Sequence, residues 1–186
     1  MAVQLQRKLF TIEEFERMIA TGVLAEDDRL ELIRGEIVEM TPIGLDHMVC
    51  VSRLNLLFHE LLGRKTLVWV QNAIQLARDS RPEPDVALLR WRDDLYTAKY
   101  PTATDALLLI EVAASSLESD RQVKVPLYAE AGIPQVWIVN LPEQVVEVYS
   151  HLESGAYSHV HRASSGESLP LPDGLEGVVR VEDILG

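Results

Sequence analysis

The sequence predicts an α/β (α+β) protein, and three observations lead to that class. Apolar runs of strand length, such as residues 106–110 and 135–139, have the character of buried strands. Other segments carry apolar residues at helical spacing, and the longest covers residues 46–62. Apolar residues make up 47% of the 186 residues, enough for a substantial core, so disorder of the bulk of the chain is excluded.

The N-terminal part predicts a short helix followed by a β-hairpin. Thr11 and Glu14 have the spacing of a capping box, and Gly22 supplies a C-terminal stop. Residues 29–40 place apolar side chains on both sides of Gly35, which suits a tight turn. The acidic positions of this hairpin are expected to face solvent, and a side chain that points into an active cleft is the alternative. These positions are Glu31, Glu36 and Glu39.

The rest of the chain alternates between helices, strands and loops. A break at residues 41–44 precedes the helix at 46–62, which Gly63 closes. Strand-like segments are expected at 66–71, 73–77, 85–89, 106–110, 135–139, 144–149 and 157–161. Loops are expected at 78–84, 91–104 and 164–174, and a short terminal element at 181–185.

Composition and charge exclude several classes of function. The net charge is −12, which disfavours non-specific attraction to nucleic acid but is compatible with a metal-dependent nuclease, whose site must itself be acidic. Cys50 is the single cysteine, so we expect a reduced, cytoplasmic compartment. Residues 1–10 lack the apolar region of a secretory signal, and no apolar run approaches the length of about 20 residues that spans a bilayer. The sequence also lacks nucleotide-binding glycine motifs, a zinc cluster and a Gly-x-Ser-x-Gly elbow.

An acid closes the apolar run at 106–110. A carboxylate in that position, Glu111, is costly to bury unless a cation offsets its charge. Asp85 begins another predicted strand, and antiparallel pairing would bring the start of one strand beside the end of the other. The two carboxylates would then converge, and ligation by oxygen atoms suits Mg²⁺. Lys124, on the following helix, would return over the same edge to help deprotonate a water or to stabilise charge on a phosphate.

The helix that carries Lys124 contains a proline in its middle. Pro126 falls within the predicted helix at 119–131, where an interior proline loses a hydrogen bond and clashes with the preceding turn. Either this helix is kinked, or two short helices abut with Pro126 in the first turn of the second. Both arrangements keep Asp120 and Lys124 on one face, because they are four residues apart.

Each candidate residue also has an ordinary structural interpretation. Asp85 follows a proline, as turn residues commonly do, and Glu111 can simply meet solvent. Asp120 and Lys124 have the spacing of a surface salt bridge. His47, in the first turn of the longest helix, is more often a cap or surface residue. It gains interest only if that helix N-terminus points into a site, where it would favour an anion such as phosphate.

Several motifs together resemble the Uma family of restriction-type endonucleases, within the PD-(D/E)XK nuclease superfamily. The resemblance covers residues 10–157. Its motifs are Glu31-Leu32-Ile33-x-Gly35-Glu36-Ile37, Met40-x-Pro42, His47 before a long helix, Pro84-Asp85-Val86, Leu109-Ile110-Glu111-Val112, and Asp120-x-x-x-Lys124-x-x-x-Tyr128-Ala129-x-x-Gly132-Ile133-Pro134-x-x-Trp137-Ile138-Val139.

The resemblance implies a restriction-endonuclease-like core, a mixed β-sheet flanked by helices, with an N-terminal helix and β-hairpin. It implies a single nuclease-like domain over residues 1–186, divided into the helix and hairpin at 1–43, a core at 44–140 and C-terminal strands and tail at 141–186. Asp85 and Glu111 would be ligands of a catalytic Mg²⁺, for which Mn²⁺ can substitute, and Lys124 would be the lysine of the motif. The position two residues after the glutamate holds Ala113 where the superfamily's simplest pattern has lysine, so the lysine is displaced onto the next helix.

Two functions therefore follow as hypotheses. The first is a Mg²⁺-dependent DNA endonuclease that uses Asp85, Glu111 and Lys124, with His47 as an auxiliary. It would act as a homodimer or higher homo-oligomer, because cutting two strands takes two sites, and without a membrane partner. The second is a catalytically inactive nuclease-fold binding or dimerisation module, which the acidic composition favours. The roles of Glu31, Glu36 and Asp120 stay open at this point.

Overall fold

The computed structural model describes residues 6–25 and 27–186 of the chain. Residues 1–5, part of the segment considered for a secretory signal, lie outside the described residues. The α-helices are α1 (Ile12–Ala20), α2 (Leu45–Leu62), α3 (Leu117–Ser119), α4 (Val125–Glu130) and α5 (Val181–Leu185). The strands are β1 (Leu30–Ile33), β2 (Glu36–Glu39), β3 (Thr66–Val70), β4 (Val86–Arg90), β5 (Ala106–Ala113), β6 (Val136–Asn140), β7 (Val145–Glu153), β8 (Ala156–Ser164), β9 (Ser168–Pro170) and β10 (Val178–Arg180).

A six-stranded mixed sheet forms the centre of the molecule, which confirms the predicted fold class. Its strand order is β3-β4-β5-β6-β7-β8. The sheet therefore combines strands of the predicted core, residues 44–140, with strands of the predicted C-terminal part, residues 141–186. The pair β5–β6 is parallel and the other pairs are antiparallel. Because parallel neighbours need a crossover, the chain between β5 and β6 leaves the sheet and returns through α3 and α4. This crossover places the helical segment that carries Lys124 over one face of the sheet.

Helices cover both faces of the sheet. On one face, Leu54 and Phe58 of α2 are fully buried, and the Phe58 ring lies 6.2 Å from that of Trp137 between centroids. On the other face, Tyr128 of α4 packs in a second cluster with Leu109 and Ile138. Since side chains alternate along a strand, β5 sends Ile110 and Val112 to the α2 face and Leu109 to the α4 face.

The N-terminal helix and hairpin have the predicted form. Thr11 and Glu14 close both bonds of the capping box at the start of α1. The strands β1 and β2 pair antiparallel around Arg34 and Gly35. Gly35 has a positive φ, and a Cβ there would lie 2.7 Å from Leu9 Cβ, so glycine is required by both conformation and space.

Four local expectations were wrong. Glu111 lies inside β5 rather than at its end, because the strand continues to Ala113 alongside β6. Residues 73–77 form only isolated bridges, since they pair with the loop segment around Ser80 and with Thr102 instead of a strand. Part of the expected loop at 164–174 is β9, which pairs with the unpredicted β10. Glu31 is 4% exposed rather than solvent-facing, because β1 packs against the loop that precedes β4.

The proline question is resolved by a π-helical turn. Residues Asp120–Lys124 form this turn between α3 and α4, and Pro126 occupies the first turn of α4. The N–H of Val125 bonds the carbonyl of Asp120, five residues back, so the wider turn accommodates the ring that follows. The backbone is helical without a break from Leu117 to Glu130, so a π turn takes the place of both predicted arrangements, although Pro126 does lie in the first turn of α4.

No helix among residues 6–25 and 27–186 is long and apolar enough to cross a membrane.

Candidate active site

Two hydrogen-bond donors anchor Asp85 at the start of β4. The antiparallel register pairs Val86 with Ile110, which brings Asp85 to the part of β5 that contains Glu111. Asp85 Oδ2 accepts a hydrogen bond from the backbone N–H of Val112 at 2.8 Å, and Oδ1 accepts one from Gln71 Nε2 at 3.3 Å. The carboxylate is thus held beside β5 by a backbone donor and a side-chain donor, as the antiparallel arrangement requires.

Glu111 is buried in β5 with two protein partners. Its side chain is 3% exposed on the α4 face of the sheet. Tyr128 Oη donates a hydrogen bond to Oε1, and Lys124 Nζ lies 3.3 Å from both carboxylate oxygens. Burial raises the pKa of Glu111 well above its ordinary value, and the charge of Lys124 opposes that rise. A cation close to Glu111 is therefore needed to keep this carboxylate ionised.

Lys124 bridges two buried carboxylates. Its Nζ lies 3.0 Å from Glu31 Oε1 of the N-terminal hairpin and 3.3 Å from Glu111. Glu31 Oε1 also accepts the backbone N–H of Glu83 at 2.7 Å, which fixes its position. Burial by itself lowers the pKa of Lys124, but Glu111, Glu31 and nearby Asp120 together raise it. The neighbouring carboxylates therefore favour the charged ammonium form of Lys124.

His47, on α2, contacts Asp85 and so belongs to the same cluster of side chains. It sits in the first turn of α2, is 9% exposed, and its Nε2 lies 3.0 Å from Asp85 Oδ2. Its Nδ1 is buried and has no hydrogen-bond partner among the described residues. His47 is therefore in contact with the candidate site, whereas the interpretation as a surface residue was wrong.

Asp120 is buried in the π turn rather than exposed in a surface salt bridge. Its side chain accepts a hydrogen bond from Ser116 Oγ at 2.7 Å. Burial raises the pKa of Asp120, while Lys124 and the Ser116 bond lower it. The surface interpretation of Asp120 and Lys124 was wrong because α3 and the π turn bring both side chains down onto the sheet.

These side chains line one pocket, and its charge is strongly acidic. The pocket contains the carboxylates of Glu31, Glu39, Glu83, Asp85, Glu111 and Asp120, together with His47. The cationic side chains that line it are Arg29 and Lys124. An excess of carboxylate oxygens with few compensating cations fits a hard divalent cation such as Mg²⁺.

Within the described ranges, no group of three or more His, Cys, Asp or Glu side chains is arranged so that it could hold a metal ion. A cation would therefore rely on water for the rest of its coordination, as Mg²⁺ commonly does.

Two members of the site had no role assigned from the sequence. Glu31 belongs to a hairpin whose alternation predicted solvent exposure, and nothing local shows that residues 83–85 cover it. Tyr128 could have been found from spacing, since it lies four residues after Lys124 and so shares its face of the helix.

The chain matches a known family model over most of its length. The model is Uma2, described as "Putative restriction endonuclease", and it matches residues 12–182. The chain belongs to the Uma2 family. The family resemblance drawn from the motifs is thereby confirmed, and the match extends beyond residue 157 to residue 182, at the start of α5.

A solved structure has the same fold. It is described as a putative nuclease belonging to DUF820 from Anabaena variabilis ATCC 29413, and it superposes with a TM-score of 0.74. The sequences are 16% identical, and the match covers 95% of this chain and 97% of that one. At this identity the likeness establishes the fold. No curated protein matches the chain.

Proposed function

We propose that this chain is a divalent-metal-dependent endonuclease that hydrolyses phosphodiester bonds in DNA. The observation that carries the proposal is the meeting of Asp85, Glu111 and Lys124 in one acidic pocket. Asp85 bonds the backbone N–H next to Glu111, and Lys124 lies 3.3 Å from Glu111. Membership of a restriction-endonuclease family supports the reaction class.

Asp85 and Glu111 are the residues that would hold the cation, with Mg²⁺ as the expected ion and Mn²⁺ as a substitute. When bound, a divalent ion at such a site supplies Lewis-acid polarisation of a phosphoryl oxygen and lowers the pKa of water. The residues fit this role because both carboxylates lie at the pocket and neither is paired with arginine. Tyr128 orients Glu111 through its hydroxyl, and His47 and Val112 orient Asp85.

Lys124 supplies a fixed positive charge. Two carboxylates hold its ammonium group, so its contribution is electrostatic: it stabilises the negative charge that develops on the phosphate during the reaction. This assignment differs from a proton-accepting lysine, which would need a lowered pKa. His47 is the auxiliary group, because its Nε2 lies 3.0 Å from Asp85 Oδ2 and its buried Nδ1 has no hydrogen-bond partner among the described residues.

A catalytically inactive binding or dimerisation module on the same fold is the second candidate. The net charge of −12 favours it, since an acidic protein is repelled by nucleic acid. The buried, mutually bonded arrangement of Glu31, Glu111 and Lys124 favours the enzyme. Burying charged groups costs desolvation free energy, and buried charge clusters in a pocket are typical of functional sites.

A cleavage assay with matched variants decides between the two. Purified protein with Mg²⁺ or Mn²⁺ is expected to cut plasmid DNA, and chelation should stop the reaction. Asp85→Ala and Glu111→Gln are expected to lower the rate by about 100-fold or more, since each removes a charge at the reacting centre. Glu39→Gln, an exposed carboxylate at the pocket rim, is the control and should cut at the wild-type rate.

Calorimetry with Mn²⁺ gives a second measurement that does not depend on turnover. Binding that is lost in Asp85→Ala and Glu111→Gln but kept in Glu39→Gln would support the assignment. Intact plasmid over a broad range of conditions, with no metal binding that depends on Asp85 and Glu111, would favour the inactive module.

A further inference from the structure

The long helix α2 has exposed apolar side chains on its outer face as well as buried ones on its inner face. Its inner face packs on the sheet, as described above. Its outer face carries Leu45, Met48, Val49 and Leu56, which are 70%, 49%, 41% and 63% exposed. We call these four residues the outer stripe. A helix that covers a sheet normally turns polar side chains to water, and one that is apolar all round is normally buried. The outer stripe is therefore the surface of α2 that lacks a covering element in the described part of the chain.

A recess lies beside the N-terminal half of the outer stripe. Its volume is about 470 Å³. Apolar residues line it together with three polar ones; the apolar residues include Leu45, Val49, Leu141, Pro142 and Leu185, and the polar ones are Asp46, Arg53 and Gln144. The C-terminal half of the stripe presents the opposite shape, because Leu56 protrudes from the helix with 63% of its surface exposed. The α2 residues that line the recess run from Leu45 to Arg53, and their midpoint, Val49, lies about 10 Å from Leu56 along the helix, at 1.5 Å per residue.

We propose that a second copy of this chain docks on the outer stripe, with the two α2 helices antiparallel around a twofold axis. In this arrangement Leu56 of each copy enters the recess of the other, so one contact is made twice. Such reciprocity is the defining property of an isologous interface. A recess centred near Val49 and a protruding Leu56 further along the same helix face each other when two copies of α2 pack antiparallel.

Charge supports the same pairing. Asp46 lies in the first turn of α2 and His59 in its last turn, and both are exposed. Antiparallel packing brings Asp46 of one copy near His59 of the second copy and opposes the two helix dipoles. A membrane surface is the less suitable occupant, because Asp46 and Glu60 flank the stripe and the whole chain carries −12, which anionic lipid repels.

The interface would adjoin the candidate active site. Ala114 borders both the recess and the catalytic pocket, and His47 lies on α2 between Leu45 and Met48. Pairing through α2 would therefore hold two pockets in one assembly, which suits cleavage of two strands. This consequence rests on the proposed function, whereas the pairing itself is measured without any substrate.

Sedimentation equilibrium at about 50 μM tests the assembly. The wild-type protein is expected at twice the 20.9 kDa of one chain. Leu56→Glu and Leu45→Glu should weaken association by about 100-fold or more, because each places a charge in the buried centre of the interface. Val178→Glu, at an exposed valine of β10 that is 60% accessible, is the matched control and should remain dimeric. A monomeric wild-type chain, or a dimer that both glutamate variants leave intact, overturns the proposal.

A spin-label measurement tests the geometry independently. Ser52 is exposed near the middle of α2, so a label on Ser52→Cys should give a short distance between copies, below about 25 Å for helices in contact across a twofold axis. The native Cys50 is 2% exposed and should not be labelled. A label on Val178→Cys should give a longer distance. Similar distances at both positions would overturn docking through α2.

The two proposals fail in distinguishable ways. A dimer that cuts no DNA would support the α2 interface and contradict the proposed endonuclease activity. A monomer that cuts DNA in a metal-dependent way does the reverse.

Discussion

Lys124 owes its position to two carboxylates that come from distant parts of the chain. Glu111 is 13 residues away, but Glu31 belongs to the N-terminal hairpin and reaches Lys124 Nζ at 3.0 Å. We expect Glu31→Gln to lower the cleavage rate about tenfold to 100-fold, the usual effect of losing a group that orients a site residue. Glutamine keeps an acceptor for the N–H of Glu83 but removes the charge that holds the ammonium group. The measurement is the cleavage rate at saturating metal.

The matched control lies on the same hairpin. Glu36 is exposed, and its bond to Arg7 is on the surface, so Glu36→Gln should cleave at the wild-type rate. Equal rates for Glu31→Gln and the wild type would show that Glu111 alone suffices to position Lys124.

Four candidate residues identified from the sequence line one pocket in the structure: Asp85, Glu111, Lys124 and His47. The sequence-based expectation that Glu31 faces solvent was wrong. Asp85, Lys124 and His47 follow from a strand start and from helix turns, which are local patterns. Glu111 was expected to end its strand, but β5 continues to Ala113. The burial of Glu31 depends on a contact between β1 and the loop before β4, more than 50 residues later. Alternation in a hairpin shows which side chains share a face, but the identity of the buried face depends on what packs there.

At the scale of elements, the π turn at Asp120–Lys124 is held to the sheet by Arg121. Its guanidinium bonds both oxygens of Glu147 on β7, with Nε at 3.0 Å, and Asn140 and Tyr149 donate to the same carboxylate. Burial alone raises the pKa of Glu147, but these donors lower it below its ordinary value. The turn that presents Lys124 is therefore fixed by an ionic contact on a neighbouring strand.

We expect Glu147→Gln to destabilise the protein by about 2 kcal/mol at pH 7, the usual scale of a hydrogen bond to a charged group. Because the folded-state pKa of Glu147 is depressed, this stabilisation is present above the unfolded pKa of about 4.3 and is lost as pH falls through the folded value. The difference in unfolding free energy should therefore shrink below about pH 4. Urea unfolding at pH 7 and pH 3 measures it.

Glu143→Gln is the control for this prediction. Glu143 contacts Arg162 and approaches Arg121 at 4.0 Å, but its side chain is 48% exposed, so the expected change is small beside that of Glu147→Gln. A loss in Glu143→Gln as large as that in Glu147→Gln would contradict the role given to burial.

The elements themselves were predictable to different degrees. The helices α1 and α2 and the strands β4 to β8 follow from caps and apolar runs, and the antiparallel β4–β5 pair was the condition for joining Asp85 to Glu111. The π turn was beyond the sequence, since Pro126 allowed a kink as well as a junction. The pair β9–β10 was not predicted. Each strand has only three residues with one buried apolar side chain, Leu169 or Val179, and the burial of these two side chains on the α2 face depends on tertiary packing.

At the scale of the whole molecule, the charge of −12 opposes the approach of a polyanion. A protein with 29 acidic and 17 basic residues cannot rely on the release of counterions that drives ordinary binding to DNA. The repulsion of DNA is expected to be strongest at the pocket, because six carboxylates line it. If the proposed function holds, binding of DNA at the pocket should therefore depend on a cation held by Asp85 and Glu111.

We expect divalent cations to control binding as well as cleavage. In EDTA, a labelled duplex should bind weakly, and Ca²⁺, which takes the same oxygen ligands as Mg²⁺, should strengthen binding at least about tenfold. Fluorescence anisotropy at low salt measures this, with gels run in parallel to show that the duplex stays intact. The double variant Asp85→Ala with Glu111→Gln should lose the Ca²⁺ effect, because it removes the proposed ligands, whereas Glu39→Gln should keep it. Tight binding in EDTA would contradict the expectation and would point to a basic surface away from the pocket as the site of contact.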